Sequence, residues 1–242
     1  MQGSFIVVYD SGVGGLTLLR ECVRRLPGEN FLYYGDNENA PYGNRSPQEI
    51  RELVFRAFEN ITGARVRAIV LACNTVTAVC AEELRRRYSF PVLGLEPAVK
   101  PAARRGGRVL LLATRATLES ERVKRLVSAC SGLADIFPYC PENLAGEVEK
   151  NILRLSSVAL RAHLPQGRFD SVVLGCTHYI FLRERIEEMY GCPVLDGNSG
   201  TADHLAKSLN ICSENTPKIA QNCPVFFGKS QNLNKSVYKL LL

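Results

Sequence analysis

No apolar run in this sequence approaches the roughly 18 residues needed to cross a bilayer, so a membrane-spanning helix is not expected. The opening Met1-Gln2-Gly3-Ser4 passes directly into Phe5-Ile6-Val7-Val8-Tyr9, without a basic leader or a small-residue cleavage site. That predicts a cytoplasmic protein. There is no Cys-x-x-Cys and no His/Cys spacing that fits zinc, so no metal site is expected. Basic residues are not interleaved with aromatics. The clusters Arg85-Arg86-Arg87 and Arg104-Arg105 fall at expected helix ends, where cations are favoured in any case. Despite a net charge of +6, nucleic acid is therefore not an expected partner.

What is present fits an ordinary globular chain of 242 residues, 46% hydrophobic and 22% charged, enough for one large domain or two small ones. The nine cysteines are odd in number and scattered. In a reducing compartment Cys22, Cys80, Cys130 and Cys212 read as small buried apolar residues. Short apolar runs alternate with helical patterns, which predicts an α/β fold with mostly parallel strands. Strands are expected at 5–9, 31–34, 66–72, 91–95, 108–113, 134–138, 170–175 and 193–195. The clearest helix follows Ser46, where Ser46, Pro47 and Glu49 form a capping box ahead of Ile50, Leu53, Val54, Ala57, Phe58 and Ile61. Further helices are expected at 15–26, 75–88, 97–105, 117–130, 144–163, 178–190 and 199–211.

Two loops carry the chemistry. Ala72-Cys73-Asn74-Thr75 and Gly175-Cys176-Thr177-His178 each follow an apolar strand, and the cysteines are offset by 103 residues. Nearly the same offset lays 5–9 on 108–112, 31–34 on 134–137, 35–43 on 138–146, and Pro91-Val92-Leu93 on Pro193-Val194-Leu195. The reading is two pseudo-symmetric lobes, each a mostly parallel sheet flanked by helices, with the active site in the cleft between them. Residues 1–96 plus 210–242 would form the first lobe and 97–209 the second, the segment after Leu209 returning to pack on the first. Two matched thiols suit a reaction that takes a proton from one face of a carbon and delivers one to the other. Each sulfur would then lie roughly 3–3.5 Å from the reacting carbon.

A free thiol, with a pKa near 8.5, is only about 3% thiolate at pH 7, so each sulfur needs help. Both cysteines precede expected helices, whose N-termini favour negative charge. Asp10 ends an otherwise apolar strand, either as a helix cap or beside Cys73. His178 is placed to serve Cys176. The glycines of Ser11-Gly12-Val13-Gly14-Gly15 invite a dinucleotide reading, but Thr17 stands where the third glycine is needed. They suit an anion such as a substrate carboxylate at a helix N-terminus. The loop 35–43 ends in Tyr42-Gly43, which either turns the chain or brings a phenol and bare backbone to a ligand.

These segments resemble the glutamate racemases of the cofactor-independent aspartate/glutamate racemase superfamily. The matching pieces are DSGVGGLT (10–17), GDNENAPYGNRS (35–46), ACNTVTA (72–78), GLEPAVKPA (94–102), ATRATLES (113–120), LGCTHY (174–179) and LDGNS (195–199). The resemblance implies conversion of L-glutamate to D-glutamate for peptidoglycan precursors, with no pyridoxal phosphate, other cofactor or metal. It implies proton transfer by Cys73 and Cys176, assisted by Asp10 and His178. Substrate would be held by Asp10, Ser11, Tyr42, Gly43, Asn74, Thr75, Thr177 and His178, with Thr114 and Thr117 as further candidates. Expected partners are the small-molecule substrate glutamate and neither nucleic acid nor membrane; a homodimer is left open. Asn39 departs from the basic residue frequent in the family, and the polar stretch 140–146 leaves open whether Glu147 or Glu149 is the acid near the second thiol. Aspartate or hydantoin racemases and a catalytically silent binding protein are the alternatives; a Cys-His hydrolase leaves one matched cysteine unexplained.

Overall fold

A computed structural model describes residues 4–61, 65–211 and 223–242 of the chain. The first half runs β1 (Phe5–Asp10), α1 (Leu16–Arg25), β2 (Phe31–Gly35), α2 (Pro47–Ile61), β3 (Val66–Leu71), α3 (Asn74–Arg87) and β4 (Val92–Gly94). Helix α4 (Val99–Ala103) leads into β5 (Arg108–Ala113), α5 (Arg115–Glu119), α6 (Glu121–Ser128), β6 (Asp135–Tyr139) and α7 (Leu144–Lys150). Then come α8 (Leu160–His163), β7 (Ser171–Gly175), α9 (Arg183–Tyr190), β8 (Val194–Leu195) and α10 (Asn198–Ser208), followed by β9 (Val225–Phe227) and α11 (Gln231–Leu241).

The strands form two sheets in which every pairing is parallel. One has the order β4-β3-β1-β2-β9 and the other, read from its far edge, β8-β7-β5-β6. Four strands therefore correspond one for one between the halves, β1 with β5, β2 with β6, β3 with β7 and β4 with β8. That is the repeat heard in the sequence offset. Strands β1, β3 and β7 are covered on both faces, which is why they read as unbroken apolar runs rather than as alternation. Burying each such Val, Ile or Leu side chain stabilises the fold by about 1.5–3 kcal/mol. Helix α2 keeps its capping box: the Glu49 N–H donates to Ser46 Oγ at 3.2 Å, and the Ser46 N–H donates to Glu49 Oε2 at 2.8 Å. Its buried face is Ile50, Val54, Ala57, Phe58 and Ile61.

Three expected helices are broken. The one expected over 117–130 splits at Ser120, whose extended backbone lets its Oγ accept from the Val123 N–H and start α6. The one expected over 144–163 stops at Lys150. There the Asn151 side chain donates to the Glu147 carbonyl and Ser157 Oγ donates to that of Arg154, giving the backbone alternatives to a continuous helix. The one expected over 178–190 begins as a 3-10 turn, Thr177–Leu182, before α9. Strand β9 pairs with β2, while α11 buries Val237 and Tyr238. Helix α10 reaches across to α1, where Asn198 Nδ2 donates to Thr17 Oγ1 at 3.1 Å. Cys22, Cys80 and Cys130 are buried free thiols, and Cys212 lies outside the described residues. Among the described residues no helix is long and apolar enough to cross a membrane.

Candidate active site

Parallel strands point their carboxyl ends the same way, and the loops that leave those ends carry most of the singled-out residues. Asp10 is the last residue of β1, in register with Gly35 of β2. Cys73 follows β3 and precedes α3; Cys176 follows β7 and precedes the 3-10 turn. Thr114 follows β5 and starts α5. The two halves meet through polar contacts at these loops. Thr177 Oγ1 donates to Asp10 Oδ2 at 3.2 Å, and the Val13 N–H donates to Glu149 Oε2 at 3.0 Å. Glycine is required for that meeting: a Cβ on Gly14 would lie 2.3 Å from Thr177 Oγ1, and one on Gly12 2.4 Å from Glu149 Oε2.

Around Cys73 the groups are a hydroxyl and a carboxylate. Ser11 Oγ is the hydrogen-bonding neighbour of the sulfur, at 3.4 Å. Asp10 instead accepts from the Gly12 N–H at 2.9 Å and from Thr177. Burial pushes the Asp10 carboxyl up to about 6, with the His178 charge and the Gly12 N–H pulling the other way. Burial, and next the Asp10 carboxylate, push the Cys73 thiol up to about 12, against the pull of Ser11 and the Val76 N–H at the start of α3.

Beside Cys176 stands a histidine. His178 Nδ1 faces the sulfur at 3.9 Å, and His178 Nε2 meets Glu149 Oε2 at 2.6 Å. Burial works to lower the His178 pKa, but the Cys176 and Glu149 contacts outweigh it and hold it well above the ordinary imidazole value. Burial likewise works against the Glu149 carboxylate, which is nevertheless held low by His178, the Val13 N–H and Asn37. The imidazolium is thus fixed between a carboxylate and a sulfur, able to give a proton or to stand beside a negative charge. Glu147, the other acid considered, points elsewhere and pairs with His163 Nε2 at 3.1 Å.

The remaining candidates form two polar groups. Thr75, Thr114 and Thr117 are buried, with their hydroxyls mutually bonded at 2.9–3.3 Å. Gly43 lies against Thr114, where a Cβ would come within 2.6 Å of Cγ2. Asn74 Nδ2 donates to the Leu95 carbonyl, while its Oδ1 is buried without a partner, an acceptor suited to an ammonium group. The Tyr42 hydroxyl is committed to protein, donating to Asp36 and lying 3.0 Å from the Tyr9 hydroxyl. Tyr9, Asp36 and Asn37 carried no functional reading of their own. The only signal for the last two was the density of polar residues in the loop 35–43. Among the described residues no group of three or more His, Cys, Asp or Glu is arranged to hold a metal ion.

Chains already known place this arrangement. The profile of the Asp/Glu/Hydantoin racemases matches residues 10–205. The chain belongs to that family. Among its relatives, a glutamate racemase of Clostridium perfringens (strain SM101 / Type A) is 41% identical over 86% of this chain and 84% of its own length. A glutamate racemase of Halothermothrix orenii is 38% identical over 98% and 97%. The Escherichia coli glutamate racemase, solved in complex with L-glutamate and the activator UDP-MurNAc-Ala, is 27% identical with a TM-score of 0.81, covering 98% of this chain and 93% of that one. The racemase fold, two parallel sheets flanked by helices, is thus shared over almost the whole molecule.

Proposed function

We propose that this racemase interconverts L- and D-glutamate by a two-base mechanism in which Cys73 and Cys176 act on opposite faces of the α-carbon. One observation carries the reading: the loops after the equivalent strands β3 and β7 each present a thiol, and their helper groups meet through the Thr177–Asp10 hydrogen bond. One sulfur takes the α-proton as a thiolate, and the opposite thiol returns a proton on the other face. The α-carbanion has no pyridoxal ring to spread its charge, so fixed donors must stabilise it. Ser11, Asn74, Thr75 and Thr177 are the side-chain donors and acceptors offered to it, since the Gly12 and Val13 N–H groups are already taken by Asp10 and Glu149. Tyr42, Gly43, Thr114 and Thr117 shape the neighbouring wall. The D-glutamate formed would feed peptidoglycan precursors in the cytoplasm, and a homodimer is compatible with this role.

The test is circular dichroism of L- and D-glutamate incubated with purified protein and no added cofactor, repeated in deuterated solvent across a panel including aspartate and a hydantoin. Both glutamate enantiomers should lose optical rotation at the same final value and gain deuterium at the α-carbon. Exchange confined to aspartate or the hydantoin would replace the substrate, and no exchange with any of them would end the reading.

A further inference from the structure

The C-terminal helix reaches the site through a chain of amides. Asn234, on α11, is fully buried, and its Nδ2 donates to Asn37 Oδ1 at 3.0 Å. Asn37 Nδ2 donates to Glu149 Oε1 at 2.6 Å, and Glu149 Oε2 meets His178 Nε2. The polarity of this chain is forced from one end. An ionised carboxylate can only accept, so Asn37 must offer it the NH2 end; its carbonyl then faces Asn234, which must also offer NH2. Gly35 leaves the room: a Cβ there would stand 2.9 Å from both Asn234 Nδ2 and Asn37 Oδ1. Asn234 Oδ1 is left without a partner, so the side chain is held for its donor end alone. The helix that carries it is anchored by Val237 and Tyr238 and by the Tyr238–Phe226 ring contact at 5.7 Å.

We propose that Asn234 is a positioning residue for the Cys176 side of the reaction, fixing Glu149, and through it His178, by way of Asn37. This rests on the two-base reading above. The groups that face His178 are Glu149 from α7, Cys176 from its own loop and Asp10 from β1. Of these only Glu149 is touched by the amide chain.

The substitution Asn234→Asp inverts the signal, because an acceptor at 234 favours a flipped Asn37 whose carbonyl confronts the Glu149 carboxylate. The chain has only three histidines, so selective labelling gives three titratable signals, assigned by the one lost in His178→Asn. In full-length N234D the His178 midpoint should move by about one pH unit from its wild-type position. The value of kcat/KM should fall about tenfold, equally in both directions because enantiomers are equally stable. Adding Asn37→Ala to N234D should cost little more than N37A alone, since both act through one link. An unmoved His178 midpoint, or fully additive losses, would overturn the proposal. If N234D does not fold, N234S is read against the same two outcomes. A wild-type protein that fails to racemise glutamate would sink the function but not this coupling, which the His178 titration still decides.

Discussion

The two sides of the site share a scaffold and differ in their charges. Each cysteine leaves the carboxyl end of an equivalent parallel strand. Cys73 then faces the Ser11 hydroxyl and the Asp10 carboxylate; burial, and next that carboxylate, push its thiol up to about 12 against the pull of Ser11, so at rest it carries its proton. Cys176 faces an imidazolium held in place by Glu149. Cys73 also opens a full helix of 14 residues, whereas Cys176 opens only a six-residue 3-10 turn with a weaker aligned dipole. The repeat of the fold therefore supplies the placement of the thiols, and side chains peculiar to each half supply the acid–base character. A reaction that runs both ways needs both groups, but it does not need them tuned alike.

The largest effect that could break this comparison is the loss of either thiol. Cys73→Ser and Cys176→Ser should each cut racemisation by on the order of a thousandfold, the scale of one lost proton transfer. In deuterated solvent each variant should exchange the α-proton of one enantiomer without inverting it, and the two variants should choose opposite enantiomers. Mass and chiral analysis of recovered glutamate checks this; the same preference in both would mean the sulfurs do not face opposite sides. Next comes Glu149→Gln, which removes the charge that keeps His178 protonated. The His178 pKa should then fall, so the proton leaves at lower pH. The alkaline limb of kcat/KM should shift toward acid by about a pH unit, with a tenfold to hundredfold loss at its best pH, on the order expected for a buried charged hydrogen bond.

Much of this was legible in the sequence because the strands are short, buried and repeated. The offset between Cys73 and Cys176 is matched by the pairing of β1 with β5 and β3 with β7, and both cysteine loops fall within the family match. The Ser46-Pro47-Glu49 cap was also readable, since its bonds are local. What could not be read depends on contacts distant in sequence. Glu147 and Glu149 lie two residues apart on α7. Only the packing of the halves decides that Glu149 reaches His178, Val13 and Asn37 while Glu147 reaches His163. Strand β9 is three residues long and α11 belongs to a segment without an internal counterpart, so neither periodicity nor repeat announced them. The breaks at Ser120 and Asn151 come from polar side chains bonding nearby backbone, which the apolar period does not register.

Smaller effects sharpen the contrast on the Cys73 side. Asp10 has a folded pKa of about 6 against an ordinary 3.8, so between those values the folded protein holds the extra proton. Its contribution is present below about pH 4 and is lost as pH rises through about 6, leaving the protein less stable above that by up to about 3 kcal/mol. Asp10→Asn should therefore raise the melting temperature at pH 8 relative to wild type, with the gain fading at pH 4, while slowing racemisation about tenfold. A gain that grows toward acid would mean the ionised carboxylate is favoured where it sits.

Ser11→Ala should do least. Its hydroxyl touches the Cys73 sulfur at 3.4 Å, a weak contact to a group that already carries its proton. Losing it should push the Cys73 thiol further up, because Ser11 is among the groups pulling it down, and should slow turnover only a few-fold. His178→Asn, by contrast, removes the imidazolium facing Cys176 and should cost on the order of a hundredfold. Steady-state kinetics of both variants in both directions compares them. If the serine proved as costly as the histidine, Cys73 would depend on its hydroxyl as heavily as Cys176 depends on its imidazolium. The difference in charge between the two sides would then not govern how each thiol works.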